Sequence, residues 1–218
     1  MEKLVNSFVE YLAIELSLNK DKKDVVAYGM FTLLQTALSI LLVIFLGIIF
    51  KCAIEALIIS FTTSILRKYS GGVHASTPER CIILGVILCL SKALIVVHLI
   101  YPSTRLDVLI TLGIVTLIYL YYVVIKLAPV DSLKKPIRTV EKRKRMKKYS
   151  IATLNMYVII SLVLSLIYMH TGYSKLVIYI LCVYIGTAWQ VFTLTNKGEL
   201  IFSKIDKIIN KVLESRRK

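Results

Sequence analysis

The sequence predicts an all-α, polytopic membrane helix bundle, and three observations lead to that prediction. Of its 218 residues, 57% are hydrophobic and 19% are charged, whereas soluble domains have about 45–50% and about 25%. The apolar residues form long runs, and a membrane-spanning helix needs about 20 of them to cross a hydrocarbon core about 30 Å thick. The Lys and Arg residues gather between these runs. This composition argues against a soluble domain and against a disordered chain.

Six apolar segments are candidates for transmembrane helices. Four of them contain no charged residue: 27–50, 108–125, 150–169 and 176–194. The segment 81–101 is long enough but contains Lys92 and His98. The segment 52–66 has only 15 residues and contains Glu55, so it either spans the membrane or is re-entrant. We therefore expect about six transmembrane helices.

Two amphipathic segments flank these runs. In residues 1–24 the apolar positions are interrupted by acidic side chains too often for the hydrophobic region of a signal peptide. In residues 196–218 apolar positions recur at helical spacing, with lysines between them. Each segment either lies along the inner leaflet or packs on the bundle. We expect one integral membrane domain over 1–218, with the membrane bundle at 27–194 and a cytoplasmic C-terminal helix.

The basic residues predict the orientation. With alternating loops, 24 of the 28 Lys and Arg residues lie on one side of the membrane. Cytoplasmic loops collect such residues, so both termini are expected inside the cell. The net charge of +15 then reflects topology, and no basic soluble domain is present to bind nucleic acid. The stretch 134–148 either contacts only anionic lipid or also receives an acidic peptide.

One of the four cysteines stands apart from the others. No two of them form a C-x-x-C pair, so neither a zinc site nor thioredoxin-like chemistry is supported. Three lie within apolar runs, where a cysteine usually acts as a small buried hydrophobe. Cys81 instead follows Thr77, a good helix N-cap, and Pro78, a good first helical residue. The partial positive charge of a helix N-terminus, together with Arg80, favours the nucleophilic thiolate.

A candidate base lies in the same predicted cytoplasmic loop. His74 precedes Cys81 by seven residues, which in a single helix would separate the two by about 10.5 Å along the axis. Pro78 and the Gly71–Gly72 pair interrupt such a helix and allow the imidazole to fold back toward the thiol. The chain contains neither H-E-x-x-H nor G-x-S-x-G, so zinc-peptidase and serine-hydrolase chemistry have no support.

The residues around this loop resemble a known family. The stretch 67–75, RKYSGGVHA, with Cys81 after it, is similar to the signature of the accessory gene regulator B (AgrB) family. Members of that family are bacterial membrane cysteine endopeptidases that process the autoinducer propeptide of a quorum-sensing system. The stretch 128–131, APVD, with Pro136 following, also resembles the family. The resemblance extends over essentially the whole chain, and its specific part is the glycine–histidine–cysteine piece.

The resemblance implies a reaction and a set of site residues. Cys81 is the implied nucleophile and His74 the implied general base. Arg67 and Gly72 match positions that the family also uses near the site, and Gly71 and Ser70 lie beside them as supporting residues. Family members often have Ala where this chain has Ser70. The implied substrate is an AgrD-like propeptide, which would be cleaved through an acyl-thioester and cyclised to a thiolactone without a cofactor. The implied location is the bacterial cell membrane.

The residues leave several points open. Glu79 or Asp131 either orients the imidazole or is a solvated carboxylate. The backbone N–H groups of Glu79, Arg80 and Cys81 are candidates for stabilising the tetrahedral oxyanion. A homodimer suits a bundle of this size, although the sequence does not show one.

Two rival functions are also open. Glu55 and Lys92 lie inside predicted spans, where charges are functional candidates by default. They either form one buried ion pair or serve a transporter of small solutes or peptides. The other rival is a non-enzymatic membrane scaffold for a sensor kinase.

Overall fold

The protein is an all-α helix bundle. The computed structural model describes residues 2–16, 19–73, 75–101, 106–131, 137 and 139–215. This part of the chain contains eight α-helices, and the fourth is extended by a π-helical turn at Val96–Ile100. The helices are α1 (Glu2–Glu15), α2 (Lys20–Ile49), α3 (Ala53–Ser70), α4 (Pro78–Ile95), α5 (Leu106–Leu127), α6 (Val140–Thr171), α7 (Lys175–Phe192) and α8 (Asn196–Ser215). The predicted fold class is confirmed.

Within the described residues, five helices are long and apolar enough to cross a membrane. These spans are Lys22–Ile49, Pro78–Ile100, Asp107–Leu127, Val140–Thr171 and Lys175–Phe192. The sixth predicted span, 52–66, corresponds to α3, a continuous helix of 18 residues whose N-cap is Cys52. Helix α3 packs against α2, α4, α6 and α7. Because other helices cover much of its surface, α3 tolerates more polar residues than a helix that faces lipid.

Two element boundaries differ from the sequence prediction. The N-terminal helix, predicted over 1–24, ends at Glu15, and residues 20–24 belong to α2. A new helix begins there because Asn19 Oδ1 accepts a hydrogen bond from Lys22 N at 3.0 Å and so caps its N-terminus. The basic segment before the span at 150–169 is not a loop throughout. Thr139 Oγ1 accepts a hydrogen bond from Lys142 N at 3.3 Å, and α6 runs from there into the span. The six basic residues between positions 142 and 148 therefore lie on a helical extension of α6.

Close contact between α3 and α7 forms the centre of the bundle. A Cβ on Gly186 would lie 3.2 Å from the carbonyl oxygen of Ile59, so the two backbones approach closely there. Thr63 Oγ1 donates to the Gly186 carbonyl at 3.2 Å, and the Tyr157 hydroxyl of α6 donates to the Thr62 carbonyl at 2.8 Å. Small residues and hydroxyl groups join helices in this way inside membranes. The α3–α7 pair therefore gives a firm support for the polar loop that follows α3.

The two amphipathic helices pack on the bundle. In α1, Val9 is buried while Tyr11 and Ile14 are exposed, and the helix contacts α2. In α8, Phe202 and Asp206 are buried, and the helix contacts α4. Since Phe202 and Asp206 are one turn apart, a single face of α8 carries both an apolar anchor and a buried carboxylate.

Candidate active site

Cys81 lies in the first turn of α4, and the predicted start of this helix is confirmed. Thr77 is the N-cap, and its Oγ1 accepts a hydrogen bond from Arg80 N at 3.3 Å. Pro78 occupies the first helical turn, where its missing N–H removes no helical hydrogen bond. The Cys81 N–H donates to the Thr77 carbonyl at 3.0 Å. The backbone at Cys81 is thus fixed by the cap.

The same hydrogen bonds correct one expectation about the oxyanion. The N–H groups of Arg80 and Cys81 were candidate donors, but Thr77 already accepts both of them through its hydroxyl and its carbonyl. A donor that is already engaged offers little to a developing negative charge. Of the three expected donors, the Glu79 N–H alone is not engaged in this way.

The Cys81 side chain is partly buried among apolar side chains from several parts of the chain. It packs against a cluster whose buried members are Ala75, Leu84 and Phe202, which come from the loop, α4 and α8. Val73 and Trp189 also belong to this cluster. The sulfur is therefore more sheltered than a surface thiol, while the residue keeps some exposure for a substrate to reach.

Arg67 of α3 supplies positive charge near the Cys81 sulfur. Its Nη2 is buried and has no hydrogen-bond partner among the described residues. Burial lowers the pKa of this guanidinium from its usual value, and a negative charge on Cys81 opposes that lowering. An unpartnered, buried N–H group of a cation is costly unless it has a ligand or a charged neighbour. A negatively charged group bound beside this guanidinium would therefore be stabilised.

The two glycines after α3 form the turn that the sequence indicated. Gly71 and Gly72 have φ values of +73° and +128°, in the region that favours glycine. A Cβ on Gly71 would lie 2.1 Å from the Val130 carbonyl oxygen, and a Cβ on Gly72 would lie 3.0 Å from Thr193 Oγ1. Both positions thus require glycine, for backbone conformation and for space.

This turn brings the two family-like stretches together. Val130 N donates to the Ser70 carbonyl at 2.9 Å, and Gly71 forms an isolated parallel β-bridge with Val130. The piece 67–75 and the piece 128–131 are about 60 residues apart in sequence, yet they share backbone contacts. Pro136, which follows the second piece, is outside the described residues.

Gln190 of α7 forms hydrogen bonds with the same turn, and the sequence reasoning did not identify it. It is fully buried, and its Nε2 donates to Ser70 Oγ at 3.0 Å and to the Gly71 carbonyl at 2.8 Å. Its Oε1 is buried and without a partner among the described residues. A glutamine inside the otherwise apolar run 176–194 was the available signal, because amides in membranes usually bind another helix.

Asp206 of α8 was also missed. It is 5% exposed, accepts hydrogen bonds from the backbone N–H and hydroxyl of Ser76, and lies 3.6 Å from Arg80 Nε. The Arg80 charge, which was expected to act on Cys81, is thus shared with a carboxylate. Asp206 occupies an apolar face of an amphipathic helix, and that placement was the signal in the sequence.

The remaining candidate acids are exposed. Glu79 lies in the first turn of α4, and its side chain is exposed. Asp131 accepts a hydrogen bond from Ile137 N at 3.0 Å and pairs with Arg143 at 3.4 Å. His74 is outside the described residues, so its distance from Cys81 stays a prediction.

The intramembrane charges do not form the expected pair. No ion pair joins Glu55 to Lys92 in the described part of the chain; instead the Lys92 ammonium lies 4.5 Å from the centroid of the Trp189 ring. A lysine over an indole face gains a cation–π interaction.

Among the described residues, no group of three or more His, Cys, Asp or Glu side chains could hold a metal ion.

The fold and the site define a multi-pass helical membrane protein with a sheltered cysteine at the start of one span. The family model described as Accessory gene regulator B matches residues 3–194. The chain belongs to this family, which confirms the resemblance. Family membership gives the protein a role in the agr quorum-sensing system and links it to propeptide processing.

Two relatives from Clostridium perfringens are similar over nearly the full length. "Putative AgrB-like protein" of strain SM101 and "Putative AgrB-like protein 2" of strain 13 are each 37% identical to this chain over 213 residues. The alignments cover 98% of this chain and 100% of each relative. No solved structure shows a significant match.

Proposed function

We propose that the protein is a membrane cysteine endopeptidase that cleaves an AgrD-like propeptide through a thioester on Cys81 and promotes thiolactone formation. The observation that carries this proposal is a partly buried thiol at a helix N-terminus, in the electrostatic neighbourhood of the buried and unpartnered Nη2 of Arg67. Cationic surroundings and a helix N-terminus both favour a reactive thiolate. Family membership supplies the substrate class.

The first chemical step forms the thioester. His74 accepts the proton of the Cys81 thiol, and the thiolate attacks a peptide carbonyl in the C-terminal part of the propeptide. The C–N bond then breaks, the C–S bond remains, and the imidazolium returns its proton to the leaving amine. The Gly71–Gly72 turn supports this role of His74 because it redirects the chain just before the histidine.

The second step closes the ring. A thiol of the substrate attacks the thioester carbonyl, a new C–S bond forms, and the Cys81 sulfur leaves and recovers a proton. One thioester replaces another, so the exchange is nearly balanced in free energy. Release or degradation of the cleaved C-terminal tail draws the reaction forward.

Arg67 stabilises the negative charge that develops in both steps. Because Thr77 engages the N–H groups of Arg80 and Cys81, the Glu79 N–H is the one expected backbone donor left, and a second donor would strengthen the stabilisation of the oxyanion. The buried Nη2 of Arg67 is such a donor. A donor fixed before the reaction begins, in a sheltered site, needs no reorganisation at the transition state.

The active-site loop and both termini lie on the cytoplasmic side in this proposal, within a single integral membrane domain. Labelling of single cysteines tests it in a chain without native cysteines. Lys204→Cys, on an exposed position of α8, should react with an impermeant thiol reagent only after the cells are opened. Ser174→Cys, in the exposed turn before α7, should react in intact cells. The reverse pattern would contradict the proposed orientation.

The peptidase itself is tested by co-expression with candidate small peptides encoded nearby, followed by mass spectrometry. Cys81→Ala and Cys81→Ser should abolish cleavage while leaving membrane insertion intact. Cys89→Ala is the matched control, because Cys89 is buried within the same helix, away from its N-terminus. If the variants at 81 and 89 cleave alike, the proposed function is wrong.

A further inference from the structure

The C-terminal helix α8 places a buried carboxylate against the loop that precedes Cys81. Asp206 Oδ2 accepts a hydrogen bond from Ser76 N at 3.2 Å and another from the Ser76 hydroxyl. Asp206 Oδ1 lies 3.6 Å from Arg80 Nε. We propose that Asp206 is a positioning residue, which fixes the segment 76–80 and so holds Cys81 for the peptidase reaction. This inference rests on the proposed function.

If position 206 served only to pack α8 on the bundle, a buried carboxylate would be a less favourable choice than an apolar side chain. The residue is 5% exposed and shares its face of α8 with Phe202, Ile205 and Ile209, which pack on the cluster around Cys81. A carboxylate removed from water costs free energy unless it is paired and hydrogen-bonded, and an apolar residue of similar size is often at least as stabilising. Its contacts with Ser76 and Arg80 therefore point to a purpose other than helix docking.

The two partners of Asp206 lie on either side of the helix cap. Ser76 immediately precedes the cap residue Thr77, and Arg80 immediately precedes Cys81. Thr77 is bonded to the N–H groups of Arg80 and Cys81. Because one carboxylate holds both sides of this short segment, a shift of Asp206 would move the sulfur.

Asp206 also determines which cation near Cys81 is left uncompensated. Two described cations bear on Cys81: Arg80, the preceding residue, pairs with Asp206 of α8, and Arg67 of α3 interacts electrostatically with the cysteine. Glu79, two residues before Cys81, is an exposed acid on the same first turn. Asp206 compensates Arg80, and Arg67 keeps its buried N–H without a partner. Removal of the Asp206 charge would leave two cations beside the sulfur and a looser loop.

The test is Asp206→Asn in the full-length protein in nanodiscs, assayed with a synthetic AgrD-like propeptide. We expect kcat to fall by about 10- to 100-fold, as for the loss of a group that orients a reacting residue, with little change in KM. Alkylation of Cys81 at neutral pH should rise, because Arg80 is uncompensated and the covering loop is loosened. Cys52, Cys89 and Cys182 should stay protected, which shows that the bundle is folded.

Glu199→Gln is the matched control, since it makes the same change at an exposed position of α8 and should leave both readouts unchanged. The double variant Arg80→Gln/Asp206→Asn removes both charges, so its Cys81 alkylation should fall below that of Asp206→Asn. Unchanged cleavage in Asp206→Asn, or equal exposure of all four thiols, would overturn the positioning role. Cleavage by Cys81→Ala would instead contradict the proposed function. The alkylation comparison between Asp206→Asn and the wild type does not depend on that result, so the two proposals can fail separately.

Discussion

Replacement of Arg67 by methionine should remove most of the peptidase activity without lowering stability. Methionine keeps a flexible, unbranched apolar stem, although a shorter one, and removes both the charge and the N–H donors. Loss of one oxyanion donor typically lowers kcat by about 100- to 1,000-fold, or about 2.7–4 kcal/mol. Because Nη2 is buried without a partner among the described residues, its removal also relieves a desolvation cost. The melting temperature should therefore stay unchanged or rise.

The assay combines kcat for the propeptide with a thermal melt in the same nanodiscs. Lys68→Met is the matched control, since Lys68 is the next residue, is exposed and lies 5.5 Å from the ring of Tyr69. Such a surface change is expected within about 0.5 kcal/mol of the wild type in stability, with activity retained. A kcat for Arg67→Met close to that of Lys68→Met would refute the role of Arg67 in catalysis.

Two further substitutions test the turn after α3. Gly71→Ala should lower both the melting temperature and the cleavage rate, because its Cβ would lie 2.1 Å from the Val130 carbonyl oxygen. The strained backbone alone costs about 1–3 kcal/mol. Gly85→Ala is the control, because its Cβ meets nothing within 4 Å, and it should leave both properties unchanged. Gln190→Leu should lower stability by about 1–3 kcal/mol, since the Ser70 hydroxyl and the Gly71 carbonyl lose their donor. A thermal melt of Gln190→Leu that matches the wild type would contradict this support.

Local chemistry made the start of α4 predictable from the sequence. A threonine followed by proline specifies a helix N-terminus through short-range interactions, and the structure has Thr77 and Pro78 in those positions. The apolar runs predicted the bundle for a similar reason, since the length needed to cross a bilayer is set by helix geometry. The basic segment was harder, because charge density does not distinguish a loop from the helical extension that begins at Val140.

The supports of the loop were not predictable in the same way. Gln190 and Asp206 reach Ser70 and Ser76 across 120 and 130 residues of sequence. A single sequence shows an unusual polar residue in an apolar run or on an apolar helix face, but it does not give the partner. Both residues are unusual in the sequence because each is polar in an apolar setting, but only the tertiary structure shows that they form hydrogen bonds with the loop.

Three distant parts of the chain hold the segment between α3 and α4. Val130 bonds the Ser70 carbonyl, Gln190 bonds the Gly71 carbonyl, and Asp206 bonds Ser76. An unsupported loop of this composition, rich in glycine and serine, would lose much conformational entropy on adopting one geometry. Because the stretch 128–131, α7 and α8 all bond to this segment, folding of the bundle orders the segment before any substrate binds. The proposed peptidase would then meet its propeptide with the thiol at the helix start and the Arg67 cation already in place, which is the condition for electrostatic stabilisation of the transition state.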